Sequence, residues 1–424
     1  MIQPTTVNGH PENGLVFPPP RRLRLIGIDT ARGLALLGMI AVPALVVVTD
    51  DGAPTLLYTI VAGRSAALFA VLAGVGIAFT TGRAQVGPGR PFGAAAAALV
   101  TRALVIGLIG LALGYADAEL VSVILCYYAV LFLLAVPLVR LPTWALVVIG
   151  ALAAAGVPVL SHLVRPHLPA PTLTNPAFAD LLGDPLRLLT ELTLTGYYPA
   201  LPWLTYLCAG LVIGRLPLSS LRVATGLIAV GMATALAATI ASLILLYPLG
   251  GMAAITAALP PGELEGYRSV ADYIALVPEG TTPTTTWWWL AVDAPHASTT
   301  PDLVQTTGTA LAVIGYALLL SHVVQPVAAR VIGLVQVPLS AAGSMTLTLY
   351  TASVMFMNSD LDVFDPLGGF LVQVGVGVVF ALAWRKAIGQ GPLESLVSWA
   401  ARRARSLVEN AGRRSVPGPR ELVW

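Results

Sequence analysis

The chain has 424 residues, of which 56% are hydrophobic and only 10% charged, and its mean hydropathy is +0.82. An average globular chain is about 25% charged, so a water-soluble enzyme, a disordered chain and a fibre are excluded. A net charge of +2 is too small to point to nucleic acid. Uncharged apolar runs recur between short clusters of Arg or Asp/Glu, the pattern of repeated bilayer crossings. The expected fold is an all-α integral membrane bundle.

In chain order, residues 1–24 read as a disordered cytoplasmic tail, Pro- and Asn-bearing with little apolar content. Arg21, Arg22 and Arg24 precede an apolar stretch as in a signal peptide, but no small-residue cleavage site follows, so the stretch reads as a first transmembrane helix. Ten spans are expected, at 33–48, 56–81, 92–115, 120–139, 144–161, 192–213, 223–247, 303–321, 331–357 and 367–384. With the N-terminus inside, 17 of the 23 Lys+Arg fall on the cytoplasmic side and 16 of the 21 acids outside, so both termini are expected in the cytoplasm. The transmembrane domain covers 25–390 and carries two long outer loops, 163–191 and 248–302. Loops of that length are usually functional or disordered. Segment 391–424 carries Arg402, Arg403, Arg405, Arg413 and Arg414, and suits either a basic helix on the anionic inner leaflet or a solvated tail. The localisation implied is multi-pass in the plasma membrane.

The residues able to carry chemistry are few. Asp29 and Arg32 are three apart, share a helical face and can pair. Ionisable groups that close to hydrocarbon are functional candidates, although a snorkelling Arg beside its Asp accounts for them equally. Arg64 and Arg102 also fall within spans, where a guanidinium normally faces the bundle interior or a wet cavity and can clamp a carboxylate or phosphate. The two cysteines, Cys126 and Cys208, lie inside apolar runs and suggest neither a disulfide framework nor a metal site.

Among the histidines, His296 stands apart, just after Trp287, Trp288, Trp289 and Asp293. If Asp293 orients the ring, His296 can serve as a general base near neutral pH. The three tryptophans can offer a flat platform to a sugar, or simply belong to an interfacial aromatic belt. Thr346, Tyr350 and Ser353 share one face of the ninth span and can line a polar cavity or bond between helices. No Gly-rich phosphate loop, nucleophile elbow, zinc motif or Walker sequence is present.

Two blocks resemble a known family. Arg24-x-x-Gly27-x-Asp29-x-x-Arg32-Gly33-x-Ala35, followed by the run from Gly63-Arg64-Ser65 to Ala73-Gly74, looks like the opening of heparan-alpha-glucosaminide N-acetyltransferase-like bacterial membrane proteins. Ala342-Gly343-Ser344-Met345-Thr346 through Tyr350, then Trp384-Arg385 and Gly391-Pro392-Leu393-Glu394, is similar to the related YeiB-like group.

The resemblance implies a transmembrane acyltransferase. An acyl-CoA donor would be engaged from the cytoplasm, with Arg32, Arg64, Arg83 and Arg140 as the cations for it, and no metal. A glycan or glycolipid acceptor would be modified outside, with Asp29, Trp287, Trp288, Trp289 and Tyr350 contacting it and His296 with Asp293 as the acid–base pair. A homodimer is left open. In the wider superfamily, Arg and ten further residues lead to a catalytic His; from Arg32 that count lands on Pro43. Ser353 stands where some relatives place another His. Proline moves no proton, so a non-catalytic relative, acting as transporter, flippase or assembly partner for envelope glycolipids, is the alternative.

Overall fold

The computed structural model describes residues 25–411. The expected N-terminal tail, with Arg21, Arg22, Arg24 and His10, lies outside the described residues, as do Arg413 and Arg414. The described chain is helical throughout its spans. The long helices are α1 (Ile26–Ala44), then, after the short α2 (Leu56–Val61), α3 (Arg64–Thr80), α4 (Arg90–Leu113), α5 (Leu125–Leu138) and α6 (Thr143–Val164). Two short helices, α7 (Phe178–Gly183) and α8 (Pro185–Thr190), lead to α9 (Ala200–Arg215) and α10 (Leu221–Leu246). The second long connection holds α11 (Gly251–Ala257) and α12 (Val270–Leu276), after which come α13 (Thr300–Leu320), α14 (Pro326–Gly343), α15 (Thr346–Met357), α16 (Pro366–Ala387) and α17 (Pro392–Ala411). Among the described residues, eight helices are long and apolar enough to cross a membrane, counting α2 and α3 as one, and α5, α9 and α15 are shorter apolar helices. The protein is a multi-pass membrane protein.

Three expected spans are interrupted; in 192–213 a short π-helical turn, Glu191–Thr195, is parted from α9 by residues 196–199. The run 56–81 breaks at Gly63, whose φ of +69° belongs to the left-handed region where glycine is at ease. A Cβ there would stand 3.1 Å from the Cα of Pro295, so the break makes room for a distant loop. The expected single span 331–357 is two helices, α14 and α15, parted at Ser344 and Met345. An N-terminus inside a bundle exposes unpaired N–H groups, and here Glu394 of α17 satisfies them. Its Oε1 accepts from the backbone N–H of Leu347 (2.7 Å) and Thr348 (3.1 Å), and its Oε2 from the Thr348 hydroxyl (2.6 Å). The Gly-Pro-Leu-Glu block noted in the sequence therefore has a structural reason. Glu394→Ala should cost about 2 kcal/mol, the worth of hydrogen bonds to a charged group, and thermal melting in detergent measures it.

Close helix contacts come from small residues, as expected in lipid. α3 and α9 meet at backbone distance, since a Cβ on Gly210 would lie 2.0 Å from the Val71 carbonyl oxygen. α1 and α14 meet in the same way through Gly33 and Gly343. Large apolar side chains on the outside, such as Leu104, Leu152, Leu236 and Val379, are more than half exposed and present the surface that hydrocarbon covers.

Arg83, Arg140 and Arg215 gather at one end of the bundle, and Asp50, Asp51, Asp117 and Glu119 at the other. The two long connections fold against the acidic end. Asn175 pins the first, accepting from the Val123 N–H at 2.7 Å and donating to the carbonyls of Ala116 and Val121. The second builds a satellite core around Tyr273, Ile255 and the fully buried Trp289.

Candidate active site

Two cavities enter the bundle from opposite ends. The acidic-end cavity, of about 430 Å3, is walled by α1, the α2–α3 break, the 118–122 segment, α15 and the loop before α13. The basic-end cavity, of about 630 Å3, lies among α1, α3, α4, α5, α15 and the start of α17. Little separates them. On α3, Ala66 lines the first and Phe69 the second; on α15, Tyr350 lines the first and Leu347 the second. Three residues of helix are about 4.5 Å, so the septum is roughly one turn thick. Tyr128 lines the basic-end cavity while its hydroxyl donates to the Ala66 carbonyl at 3.4 Å, and Phe69 leans on the Tyr128 ring with centroids 5.4 Å apart.

His296 lines the acidic-end cavity, and so does Pro43. The loop carrying His296 is tied down on both sides. Ser242 of α10 donates to the Ala291 carbonyl (2.6 Å), and Asp302 of α13 accepts from the Ser298 N–H (2.8 Å). His296 itself has φ +58°, uncommon outside glycine, and its ring meets Tyr198 edge-on with centroids 5.6 Å apart. Burial pulls the imidazole down to a pKa of about 4, so the ring is neutral at pH 7 and a weaker base than an open histidine.

The expected orienting acid sits elsewhere. Asp293 accepts from the Thr239 hydroxyl of α10 at 2.6 Å, and among the described residues no hydrogen bond joins it to His296. Its carboxyl is raised by burial, against the lowering effect of the Thr239 hydrogen bond and of Arg64. Tyr350 does line the cavity, its hydroxyl donating to the Ser122 carbonyl (3.3 Å) and accepting from the Ile124 N–H (3.2 Å). Its two neighbours on the helix face look elsewhere: Thr346 lines the basic-end cavity, and Ser353 donates to Gln373 at 2.6 Å.

The tryptophans do not form one platform. They occupy a 3-10 turn, Trp287–Ala291, whose side chains diverge. Trp287 is exposed and stacks on His162 at 4.5 Å, Trp288 packs beside Gly251, and Trp289 is fully buried with its indole N–H donating to Thr285 (3.1 Å). None of the three lines either cavity.

The four candidate donor cations fall in different places. Arg32 lines the basic-end cavity, with its Nη1 3.4 Å from Oδ1 of the buried Asp29, so the expected pair is formed. Asp29 itself does not line the cavity. Arg83 donates to the carbonyls of Gly214 (3.2 Å) and Leu216 (3.0 Å), and Arg140 stacks 5.0 Å over Phe92. Arg64 heads α3 beyond the septum and donates to the Thr59 carbonyl. Arg32 lies beside Gly76, twelve residues from Arg64 on α3 and so about 18 Å along its axis. The structure therefore does not bring Arg64 to the other three.

Several cavity residues escaped the sequence reading. Tyr58, Tyr197, Tyr198, Ser65 and Glu279 line the acidic-end cavity. Tyrosines near span ends carry no special mark, and Glu279 sits in a loop without period. Arg102 is expected from the sequence as an intramembrane clamp, without a partner or a ligand assigned to it. It lines the basic-end cavity within electrostatic range of Arg32 and Arg402, and among the described residues no carboxylate pairs with it. A guanidinium without a carboxylate beside two further cations marks a place where an anion is welcome.

A comparison with curated proteins finds no match. A family model described as heparan-alpha-glucosaminide N-acetyltransferase, catalytic, matches residues 24–247, more than half of the chain, and this stretch holds α1 through α10 with Arg32, Arg102 and Pro43. The chain belongs to the heparan-alpha-glucosaminide N-acetyltransferase catalytic family.

Proposed function

We propose that the protein transfers an acyl group from acyl-CoA, bound at the basic-end cavity, to a sugar hydroxyl or amine bound at the acidic-end cavity. The observation that carries the reading is the pair of cavities, one lined by Arg32 and Arg102 and the other by His296, separated by a single turn. Retention of cations on the cytoplasmic side of a plasma membrane puts the basic end, and both termini, inside. CoA phosphates then meet Arg102 and Arg32, and the thioester points toward the septum.

In this reading His296 accepts the proton of the attacking hydroxyl or amine as its oxygen or nitrogen bonds to the acyl carbon. The carbon–sulfur bond breaks, and the CoA sulfur leaves as the thiolate. Pro43 favours the rival reading, a relative that binds glycolipid without catalysis. His296 answers it by supplying an imidazole to the cavity that Pro43 itself lines.

Proteoliposomes with radiolabelled acetyl-CoA confined to one face test the proposal. Label should reach a glycan acceptor on the opposite face only when donor contacts the basic end. Arg102→Met should raise KM for the donor about tenfold or more, as expected on losing a charged hydrogen bond, with kcat little changed. CoA binding without transfer to any of a panel of amino and neutral sugars would sink the enzyme reading and leave the rival standing.

A further inference from the structure

A third recess lies on the lipid-facing side. It is a groove of about 380 Å3 between α1, α15 and α16, walled by hydrocarbon from Leu36, Ile40, Leu349, Phe356, Val376 and Phe380. Three polar side chains interrupt that lining, Thr348, Ser353 and Gln373. The Ser353 hydroxyl donates to Gln373 Oε1, and Gln373 Nε2 is left buried with no partner. A buried donor without an acceptor is unfavourable in hydrocarbon and asks for an explanation. A buried water takes two to four polar partners; the Thr348 hydroxyl donates to Glu394 and accepts from the Leu393 N–H, so a water here would have two at most, Gln373 Nε2 and the Ser353 oxygen. With hydrocarbon on every other side, the donor is matched best by an acceptor oxygen carried on an apolar chain.

The setting agrees with that chemistry. α16 is the least covered of the long apolar helices, and Leu371, Val376 and Val379 stand more than half exposed along it, so the groove lies where the bundle meets lipid. α15 presents Ser353 to the groove and Tyr350 to the acidic-end cavity. Above α15, Asn358 accepts from the Asp117 N–H at 2.7 Å, next to the 118–122 segment that lines the same cavity. A chain lying in the groove thus has its polar end beside the acceptor cavity.

We propose that the groove seats one ester-linked acyl chain of a glycerolipid whose sugar headgroup is the acceptor, with Gln373 Nε2 donating to the ester carbonyl. Only the fate of the headgroup rests on the acyl-transfer reading. The seat itself stands on Gln373 and the hydrocarbon around it.

The test uses the full chain in nanodiscs of ether-linked phospholipid, which lack ester carbonyls. The probes are a glycosyl diacylglycerol with a diazirine in one acyl chain and its dialkyl ether analogue. The ester probe should label α15 and α16 about fivefold more than the ether probe, the worth of one hydrogen bond. Gln373→Met should reduce ester labelling to the ether level, and should lower transfer to the glycolipid while leaving transfer to a soluble sugar unchanged. Equal labelling by the two probes of the unmutated protein overturns the proposal without recourse to any variant. If the labelling pattern holds but neither acceptor is modified, acyl transfer fails and the lipid seat stands.

Discussion

His296→Asn lowers acyl transfer by about 100- to 10,000-fold, the range set by loss of a general base, with little change in donor affinity. Asparagine is the right replacement because position 296 has φ +58°, a conformation that asparagine tolerates and most other residues resist. Loss of activity then reports on the imidazole and not on a displaced loop. The family pattern supplies a second arm. Pro43 lines the same cavity, so Pro43→His placed on His296→Asn should return part of the lost activity. If the asparagine variant transfers normally, His296 is not the base, and the cavity works by positioning alone.

The protonation of His296 sharpens this expectation. Its pKa is held near 4 by burial, against about 6.5 for an open histidine, so transfer should hold as pH falls through 6 and decline toward 4. The same shift has a stability sign. Between about 4 and 6.5 the unfolded chain binds a proton that the folded chain refuses, so stability is complete above the upper value and is lost as pH falls toward the lower. His296→Asn should remove that acid sensitivity, which melting curves at a series of pH values read directly.

Gly343→Val destabilises the protein by about 3 kcal/mol, the upper range for forcing volume into a packed contact. A Cβ at Gly343 would stand 1.8 Å from the Asp29 carbonyl oxygen and 2.6 Å from the Gly33 nitrogen, both backbone atoms that no side-chain rotation can clear. The reciprocal contact is as tight, with a Cβ on Gly33 falling 2.1 Å from the Leu339 carbonyl oxygen. α1 and α14 must part, and the Asp29–Arg32 pair moves with α1. A higher KM for the donor should therefore accompany the lower melting temperature. Gly333→Val on the same helix meets nothing within 4 Å and should melt near the parent value.

Hydropathy found the membrane class and most of the long apolar helices, though not their number, because an apolar helix must cover about 30 Å of hydrocarbon and that demand is written in consecutive residues. It could not find the interruptions. Gly63 and Ser344–Met345 break helices inside unbroken apolar runs, one to admit Pro295 and His296 and the other to receive Glu394. Both causes lie far along the chain. The site was legible in part for the same reason. Arg32, Arg102, Pro43 and His296 each drew attention through residue type, but only the fold shows that Pro43 and His296 share one cavity while Arg64 stands beyond the septum from Arg32. Of the two readings of the Trp287–Trp289 run, the shared platform does not form, because neighbours on a 3-10 turn point about a third of a turn apart and cannot lie in one plane.

The capping of α15 by Glu394 also bears on how the protein is made. The stretch that matches the family ends at residue 247, yet the basic-end cavity takes part of its wall from Glu394, Val397 and Ser398. A nascent chain that has been made only as far as α10 still lacks that wall. If the cavity seats the donor as proposed, a chain can engage acyl-CoA only after α17 has folded back on α4.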